Sequence, residues 1–253
     1  MPTNFNQYQP YTGFNTVDPN TSITHDLGQR YITKSYLLDV YPNLVPGRTV
    51  PGLWSCGYNG YGQLGLSDVV HRSSPVQVGA LTNWKQVACG YTHTVSVKTD
   101  GTLWSVGQNT YGQLGLGNVV SRSSPVQVGL LTNWKLVACG GYHTVSVKTD
   151  GTLWSCGYNR NGQLGLGDLV HRSSPVQVGA LTNWKQVSCG FYHTVSVKTD
   201  GTLWSVGNNN TYGQLGLSDV VHRSSPVQVG SLTNWKQVAG GRYHTVAIAD
   251  GYI

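Results

Sequence analysis

The amino-acid sequence predicts an all-β protein built from four tandem copies of one unit. A characteristic phrase returns four times along the 253 residues at a near-constant spacing. Gly is abundant at 33 residues, whereas all ten acidic residues are Asp and there is a single Met, so strong helix formers are scarce. Val, Thr, Tyr and Trp, which favour strands, are plentiful. Composition and repetition therefore both favour strands joined by tight turns.

The repeat is defined by the phrase LWSCG at 53–57, which returns as LWSVG or LWSCG at 103–107, 153–157 and 203–207. The spacing is 50 residues, and one residue is inserted within 208–211 of the last copy. All eight Trp residues keep this register, which marks them as core anchors because a Trp buries a large apolar area. The predicted units are 53–102, 103–152, 153–202 and 203–253.

Each unit is predicted to hold four short strands, described here for the second copy. They cover 103–107, 125–129, 134–139 and 143–148, and a Gly-rich turn follows the first strand. Asp150-Gly151 comes after the fourth strand and is a strong hairpin signal, since Gly tolerates a positive φ. We therefore expect the fourth strand of each unit to pair with the first strand of the next unit.

A single four-stranded sheet of this size is marginally stable, so the units are expected to stack face to face. We predict a β-propeller of about four blades with four strands each, within the range known for propellers. The ring could close within the chain if the strand at 53–57 pairs with the strand at 244–248, and this arrangement is favoured. Alternatively, several chains could share a larger ring, or residues 1–52 or a partner could cap an open arc.

The five Cys residues fall at two repeat-equivalent places that Val or Gly occupies in other copies. A position that accepts Cys or Val is expected to be a small buried hydrophobe. No CxxC pair supports a metal site, and no metal-ligand cluster stands out. We therefore predict neither a metal nor a cofactor.

Two stretches imitate catalytic motifs without the context that their chemistry needs. Residues 60–65 satisfy GxGxxG, but a Pro-containing loop follows them instead of the helix N-terminus that would bind a pyrophosphate. His93, Ser96 and Asp100 suggest a triad, but His93 and Ser96 lie on opposite faces of one strand. We expect this His to pack between blades, and we predict that the protein is not an enzyme.

The net charge is +6, which raises nucleic-acid binding as a hypothesis. The sixteen Lys and Arg residues are spread along the chain without a basic run, so a nucleic-acid partner is not expected. His71-Arg72, His171-Arg172 and His222-Arg223 are interpreted as solvated loops rather than as a ring of positive charge. The first residues lack the pattern of a signal peptide, and no apolar stretch is long enough to span a membrane.

Several fixed offsets recur in all four copies. The pattern is Leu-Trp-Ser-x-Gly-x-Asn-x-x-Gly-Gln-Leu-Gly, then Ser-Pro-Val-Gln-Val, then Cys-Gly-x-x-His-Thr-Val-Ser-Val-x-x-Asp-Gly, with small departures in some copies. It resembles the regulator of chromosome condensation repeat and covers residues 53–251. The resemblance implies a propeller, typically of seven blades, that acts through protein partners. It also implies GTPase exchange or a chromatin or signalling adaptor, although these units carry no long insertion and no basic tail.

Residues 1–52 do not repeat and are predicted to form an arm that docks the propeller onto something larger. Residues 1–25 are interpreted as extended, because they are rich in Asn, Thr, Tyr and Pro. Residues 26–42 could hold a short helix, capped by Asp26 and ended by Pro42. The predicted anchor residues are Tyr31, Tyr36, Leu37, Leu38 and Tyr41.

Two functions from different classes remain open. One is a structural or adhesive module anchored in a larger assembly such as a phage virion, since nearly identical copies and a Glu-free composition are typical of appendage proteins. The other is a cytoplasmic regulator or adaptor of the resembled family. Both require protein partners, and a homo-oligomer is a further option. Binding is assigned to variable positions of the unit, namely Tyr58, Tyr61, Tyr91, Gln108, Tyr111, Tyr158, Arg160, Phe191, Tyr212 and Arg242.

Overall fold

The computed structural model describes residues 23–24, 31–32, 51–210 and 212–251. Met1–Val50 and Pro51–Ile253 form two compact units. In the first unit, β1 (Ile23–Thr24) pairs antiparallel with β2 (Tyr31–Ile32). No helix of the described residues is long and apolar enough to cross a membrane.

The short helix considered for residues 26–42 is wrong at Tyr31–Ile32, which form a strand. Ile23 lies opposite Ile32, and Thr24 lies opposite Tyr31. These β-branched and aromatic residues favour strands, and their preference outweighs a weak helical periodicity. Tyr31 therefore lies in β2, whereas the other predicted anchor residues, Tyr36, Leu37, Leu38 and Tyr41, fall outside the described residues.

Residues 51–210 and 212–251 fold into three complete four-stranded antiparallel sheets, with a two-stranded half sheet at each end. The half sheets are β3 (Trp54–Gly57) with β4 (Arg72–Gln77), and β17 (Trp235–Gly240) with β18 (Thr245–Ala249). The first complete sheet contains β5 (Trp84–Cys89), β6 (His93–Lys98), β7 (Leu103–Gly107) and β8 (Arg122–Gln127). The second contains β9 (Trp134–Cys139), β10 (His143–Lys148), β11 (Leu153–Gly157) and β12 (Arg172–Gln177). The third contains β13 (Trp184–Cys189), β14 (His193–Lys198), β15 (Leu203–Gly207) and β16 (Arg223–Gln228).

Each blade combines the second half of one sequence repeat with the first half of the next. The predicted pairing of the fourth strand with the following first strand is confirmed, since β10 pairs with β11 and Val145 lies opposite Ser155. Three strands of the second copy have the predicted limits. β8 instead begins at Arg122, before the predicted start at Pro125, because Arg122 pairs with Gly107 beyond a bulge in β7.

The blades stack face to face, as predicted. The strands β5, β9, β13 and β17 touch one another in sequence and are the innermost strands. Between the first two complete blades, Val95, Val97 and Leu103 pack with Trp134 and Val137 in one buried cluster. Trp134 is therefore a core anchor, as its regular spacing predicts.

The Gly-rich turn after β7 is fixed by a buried Asn and by close approach to the next blade. Asn109 donates from Nδ2 to the carbonyl oxygens of Asn118 and Val120, and its Oδ1 accepts the Leu114 N–H. Gly112 has φ +83°, and a Cβ there would lie 2.4 Å from Cα of Ser173 in the next blade. Glycine is required at this turn, and the GxGxxG stretch of the first unit has the same structural role.

The ring does not close within the chain in this structure, contrary to the favoured arrangement. Among the residues of 51–251 that the structure describes, β3–β4 and β17–β18 remain separate two-stranded sheets. Trp54 of β3 is 59% exposed and Val246 of β18 is 60% exposed, so both outer edges face solvent. Residues 51–251 thus form an open arc whose two ends each carry half a blade.

Candidate functional site

His93, which imitates a catalytic base, is a structural link between blades. It is buried at the start of β6, and its Nε2 lies 3.0 Å from Oγ1 of Thr144 in the next blade. Burial lowers its pKa to about 4, so the ring is neutral near pH 7. The expected packing of this His between blades is confirmed.

Three of the innermost strands end in a Cys-Gly pair, and β17 ends in Gly240-Gly241. These ends line an open pocket of about 300 Å³. Tyr91, Phe191 and Arg242 stand at its rim, each one residue beyond a Gly. The predicted burial of the Cys positions is confirmed at Cys156 and Cys189 but not at Cys56 and Cys89, which belong to the open N-terminal end.

Aromatic rings from all three complete blades meet at this same end of the sheets. We call this surface the aromatic face. Tyr142 is at its centre, with its ring centroid 5.9 Å from Tyr91, 5.6 Å from Tyr111 and 5.5 Å from Phe191. Such edge-to-face pairs stabilise one another by about 0.5–1.5 kcal/mol beyond the area that they bury. Its members are Tyr91, Tyr111, Tyr142, Tyr158, Phe191 and Tyr192.

Two guanidinium groups stand beside the aromatic face. The Arg242 guanidinium carbon lies 5.1 Å from the ring centroid of Phe191 and 5.1 Å from that of Tyr243. Arg160 is exposed next to His171, whose pKa is lowered by burial and by the Arg160 charge. Burial raises the pKa of Tyr142, so its phenol stays protonated. The surface is therefore aromatic, cationic at its edge and able to donate hydrogen bonds.

The remaining predicted site residues lie towards the two ends of the arc or make local bonds. Tyr58 contacts Tyr61 and His71 in the first unit, and Tyr212 contacts Tyr243 in the last. Gln108 does not project freely, because its Oε1 accepts the Thr92 hydroxyl and its Nε2 donates to Thr110. The structure brings Tyr91, Tyr111, Tyr158, Phe191 and Arg242 together.

Sequence reasoning missed Tyr142 and Tyr192 of the aromatic face, and His171, which contacts Tyr111 and Tyr158. It also missed Tyr243, which contacts Tyr212 and Arg242. Tyr142, Tyr192 and Tyr243 immediately precede the repeated His, where the first unit has Thr92. This position looks constant in three copies, and the search for variable positions passed over it. A search for aromatic residues that recur at equivalent places of the copies would have found it.

The His-Arg loops carry no ring of free positive charge among the described residues. Arg72, Arg172 and Arg223 each form an ion pair with an Asp four residues earlier in the chain. The ring nitrogen Nδ1 of His171 accepts the Asn159 N–H at 2.9 Å. These loop arginines are therefore paired within their own loops, whereas Arg160 and Arg242 are the cations beside the aromatic face.

The comparisons with solved structures agree with this architecture. Human WBSCR16 matches with a TM-score of 0.71 and 26% identity over 79% of this chain and 54% of that one. Prp20p from Saccharomyces cerevisiae matches with a TM-score of 0.68 and 23% identity over 78% of this chain and 51% of that one. Yeast RCC1 (Prp20) bound to Kap60 gives a TM-score of 0.70 at 23% identity over 79% and 51% of the two chains. The chain thus spans about half the length of these structures.

No curated protein sequence matches the chain. The pattern described as the regulator of chromosome condensation (RCC1) repeat does match, at residues 52–97, 100–147, 150–197 and 200–248. A second pattern with the same description matches residues 84–113, 134–163 and 184–214. These matches cover well over half of the sequence and recur at the period of the blades. The chain therefore belongs to the regulator of chromosome condensation repeat family.

Proposed function

We propose that this chain is a non-enzymatic protein-binding propeller module that holds its partner on the aromatic face. The single observation that carries the proposal is the continuous contact of Tyr91, Tyr111, Tyr142 and Phe191 beside an exposed Arg242. Tyr, Phe and Arg are enriched in the energetically dominant parts of protein interfaces. Large rigid rings provide contact area with little loss of conformational entropy.

The chemistry of the aromatic face favours a partner segment with apolar and acidic side chains. Arg160 and Arg242 would pair with carboxylates, and the rings would cover apolar side chains. Related structures are consistent with protein partners, since one is described by the binding of Prp20p to Gsp1p and histones and another holds Kap60. Those partners are properties of the related proteins, and for this chain only the class of partner is proposed.

The test is loss of binding after truncation of two rings that both contact Tyr142. Tyr91→Ala/Phe191→Ala, compared with the wild type, should weaken binding to proteins that co-purify from the native source at least tenfold, as measured by interferometry. The matched control is Leu130→Ala/Leu131→Ala, which alters exposed side chains between β8 and β9, at the opposite end of the sheets. Equal affinity of all three proteins would refute the proposed face.

We further propose that residues 1–52 attach the propeller to a larger assembly, with a phage virion appendage as the assembly that the composition favours. The support is the absence of Glu and the near-identity of the four copies. A chain that lacks residues 1–52 should no longer incorporate into the assembly, although its aromatic face still binds. Incorporation at the wild-type level would refute the anchor, and accelerated nucleotide release from a small GTPase would favour the regulator instead.

A further inference from the structure

We propose that two copies of this chain join head to tail in one closed ring, in which β18 of each copy pairs with β3 of the other. In a complete blade the strand order is β5-β6-β7-β8. The half sheet β17–β18 corresponds to the first two strands of that order, and β3–β4 corresponds to the last two. Each end of the arc therefore supplies the part of a blade that the other end lacks.

The complete blades define the register of the missing pairing. In all three, the Val two residues after the buried His faces the Ser of the Leu-Trp-Ser phrase, as Val95 faces Ser105. At the ends of the arc, this register places Val246 opposite Ser55 and Ile248 opposite Leu53 of a second copy. No residue has to be inserted or omitted, so the two half sheets are compatible along their whole length.

A series of side-chain hydrogen bonds between blades stops at both ends of the arc. His93, His143 and His193 reach Oγ1 of Thr144, Thr194 and Thr245 in the next blade, at 3.0, 3.0 and 3.1 Å. The next donor in the series is His244, and the only equivalent Thr not reached by a His is Thr94. The Thr94 hydroxyl donates to the Gln63 carbonyl, as Thr144 does to Gln113, so its oxygen can accept from a His.

Two backbone series between blades stop at the same places. Tyr91 N–H donates to Gly141 O, Gly141 N–H to Phe191 O and Phe191 N–H to Arg242 O, at 3.3, 3.0 and 3.3 Å. The next bond would run from Arg242 N–H to Tyr91 O of a second copy.

In the second backbone series, the turn that would donate the missing hydrogen bond is already formed at the C-terminal end of the arc. Ser67, Gly117 and Gly167 each donate from N–H to a Ser carbonyl of the next blade at 2.8 Å. Ser218 is the equivalent donor of the last unit. It has φ 61°, close to the φ of 66° at Ser67, although it has no following blade. The acceptor at the other end of the arc is Ser73 O.

Strand positions beside the missing pairing expose apolar side chains that are buried at the equivalent places of complete blades. Val246 and Ile248 are 60% and 57% exposed, whereas the equivalent Val145 and Val147 are 1% and 0% exposed. Cys56 is exposed, whereas the equivalent Cys156 is buried. Unpaired strand edges with apolar side chains are templates for association. The proposed pairing would bury both edges at once.

The curvature of the arc favours two copies over closure of one. The chain follows related propellers over 51–54% of their length with TM-scores of 0.68–0.71, so it already has the curvature of about half a ring. Closure of a single copy would require the angle between blades to double. Two copies give eight blades, which lies within the range of about four to eight seen in propellers. A head-to-tail contact that closes after two copies leaves no free edge.

The first test is the mass of the full chain in solution. Light scattering after gel filtration should give twice the 27.3 kDa of one chain. Val246→Lys/Ile248→Lys should halve this mass and leave the circular dichroism spectrum unchanged, because both side chains are exposed in a single copy. Val119→Lys/Val120→Lys alters loop residues of similar exposure and should remain a dimer. A monomeric wild type, or assemblies of more than two copies, would overturn the proposal.

A disulfide distinguishes two copies from one self-closed copy. Thr144 lies opposite Cys156 in a complete blade, so Thr245 would lie opposite Cys56 of the second copy. Directly opposed residues of an antiparallel pair have Cα atoms about 4.5–5.5 Å apart, which a disulfide can span. Oxidised Thr245→Cys should therefore migrate as a covalent dimer on a non-reducing gel, and Thr245→Cys/Cys56→Ser should not. A disulfide within one chain, or none, would contradict the shared ring.

Discussion

The imidazole Nε2 of His143 lies 3.0 Å from Oγ1 of Thr194 in the neighbouring blade. The Thr194 hydroxyl already donates to the Gln163 carbonyl at 2.9 Å, so the His must donate its own proton to the Thr oxygen. Because burial lowers the His143 pKa to about 3, the ring is uncharged near pH 7 and is the Nε2–H tautomer. The same arrangement links His93 to Thr144 and His193 to Thr245, so the stability of the arc depends on neutral histidines.

Stability should fall as the pH falls below 6.5. Burial lowers the pKa of His93 and His193 to about 4 and that of His143 to about 3, from 6.5. The unfolded chain thus binds more protons in this window, and each His costs up to about 1.4 kcal/mol per pH unit. On acidification, the free energy of unfolding should begin to fall near pH 6.5 and should stop falling for this reason once the pH is below the pKa values of the folded state.

Urea unfolding between pH 3 and pH 7.5 measures this dependence. His143→Gln should be less stable at pH 7 but should lose less stability on acidification. The control is His222→Ser, which places in the last unit the residue that the second unit has at Ser121. An unchanged slope in His143→Gln would contradict the neutral buried His.

Gly140→Ala should destabilise the protein by about 3 kcal/mol, through overpacking. A Cβ at this position would lie 2.1 Å from Cε1 of His143 and 2.6 Å from the Gly190 carbonyl oxygen. Neither group can retreat, because both belong to the contact between blades. The free energy of unfolding in urea checks this value.

The matched control for that variant is Gly129→Ala. Gly129 has φ +61°, and nothing lies within 4 Å of the position that a Cβ would take, so this substitution tests backbone strain alone. It should cost about 1 kcal/mol, typical of a non-Gly residue in the left-handed region. Equal costs for the two variants would show that close packing at Gly140 is unimportant.

Lys148→Met should be nearly neutral, whereas Lys148→Ala should destabilise by about 2 kcal/mol. The Lys148 Nζ lies 4.9 Å from the ring centroid of Trp134 and 3.6 Å from that of Trp154, and the residue is buried. Burial also lowers the pKa of Lys148, so part of the cation–π attraction is offset by lost hydration. Met retains the packing of the aliphatic chain between the two rings.

Thermal unfolding of Lys148→Met and Lys148→Ala measures the two contributions. Lys135→Ala is the control, since Lys135 is exposed on the adjacent strand and should change stability by less than about 0.5 kcal/mol. If Lys148→Met destabilised the protein as much as Lys148→Ala, the charge of Lys148 rather than its aliphatic chain would provide most of its contribution to stability.

Asp168→Asn should change stability by less than about 1 kcal/mol, because partly exposed ion pairs contribute little. Asp168 accepts the Val170 N–H and pairs with Arg172, and both contacts lower the pKa of its carboxyl group. The second unit has Asn118 at this place, where the amide oxygen accepts the Val120 N–H in the same way.

Asp168→Ala loses both the ion pair and the backbone acceptor and should cost about 1–2 kcal/mol. Chemical denaturation of the two variants separates the contribution of the ion pair from that of the hydrogen bond to the backbone. A large loss in Asp168→Asn would show that the charge itself holds the loop.

The sequence allowed the strands to be placed because each depends on local alternation and on turn residues close in the chain. The limits of β7, β9 and β10 follow from Asp-Gly turns and from apolar alternation. By contrast, the meeting of Tyr91 with Phe191 depends on how two complete blades stack, and no local pattern encodes that distance. The same holds for closure, which depends on the angle between blades. The position of Gln108 varies between copies, yet its side chain forms hydrogen bonds with Thr92 and Thr110 instead of facing a partner.

The half-repeat offset between sequence unit and blade has a consequence for how such a protein can change length. The border between two copies lies inside each complete blade, where the two strands that pair across it come from consecutive copies. Recombination between equivalent codons of two copies would add or remove one complete fifty-residue repeat. Each surviving strand would keep neighbours of the same type, so the gene can be lengthened or shortened by fifty codons without creating a new kind of contact.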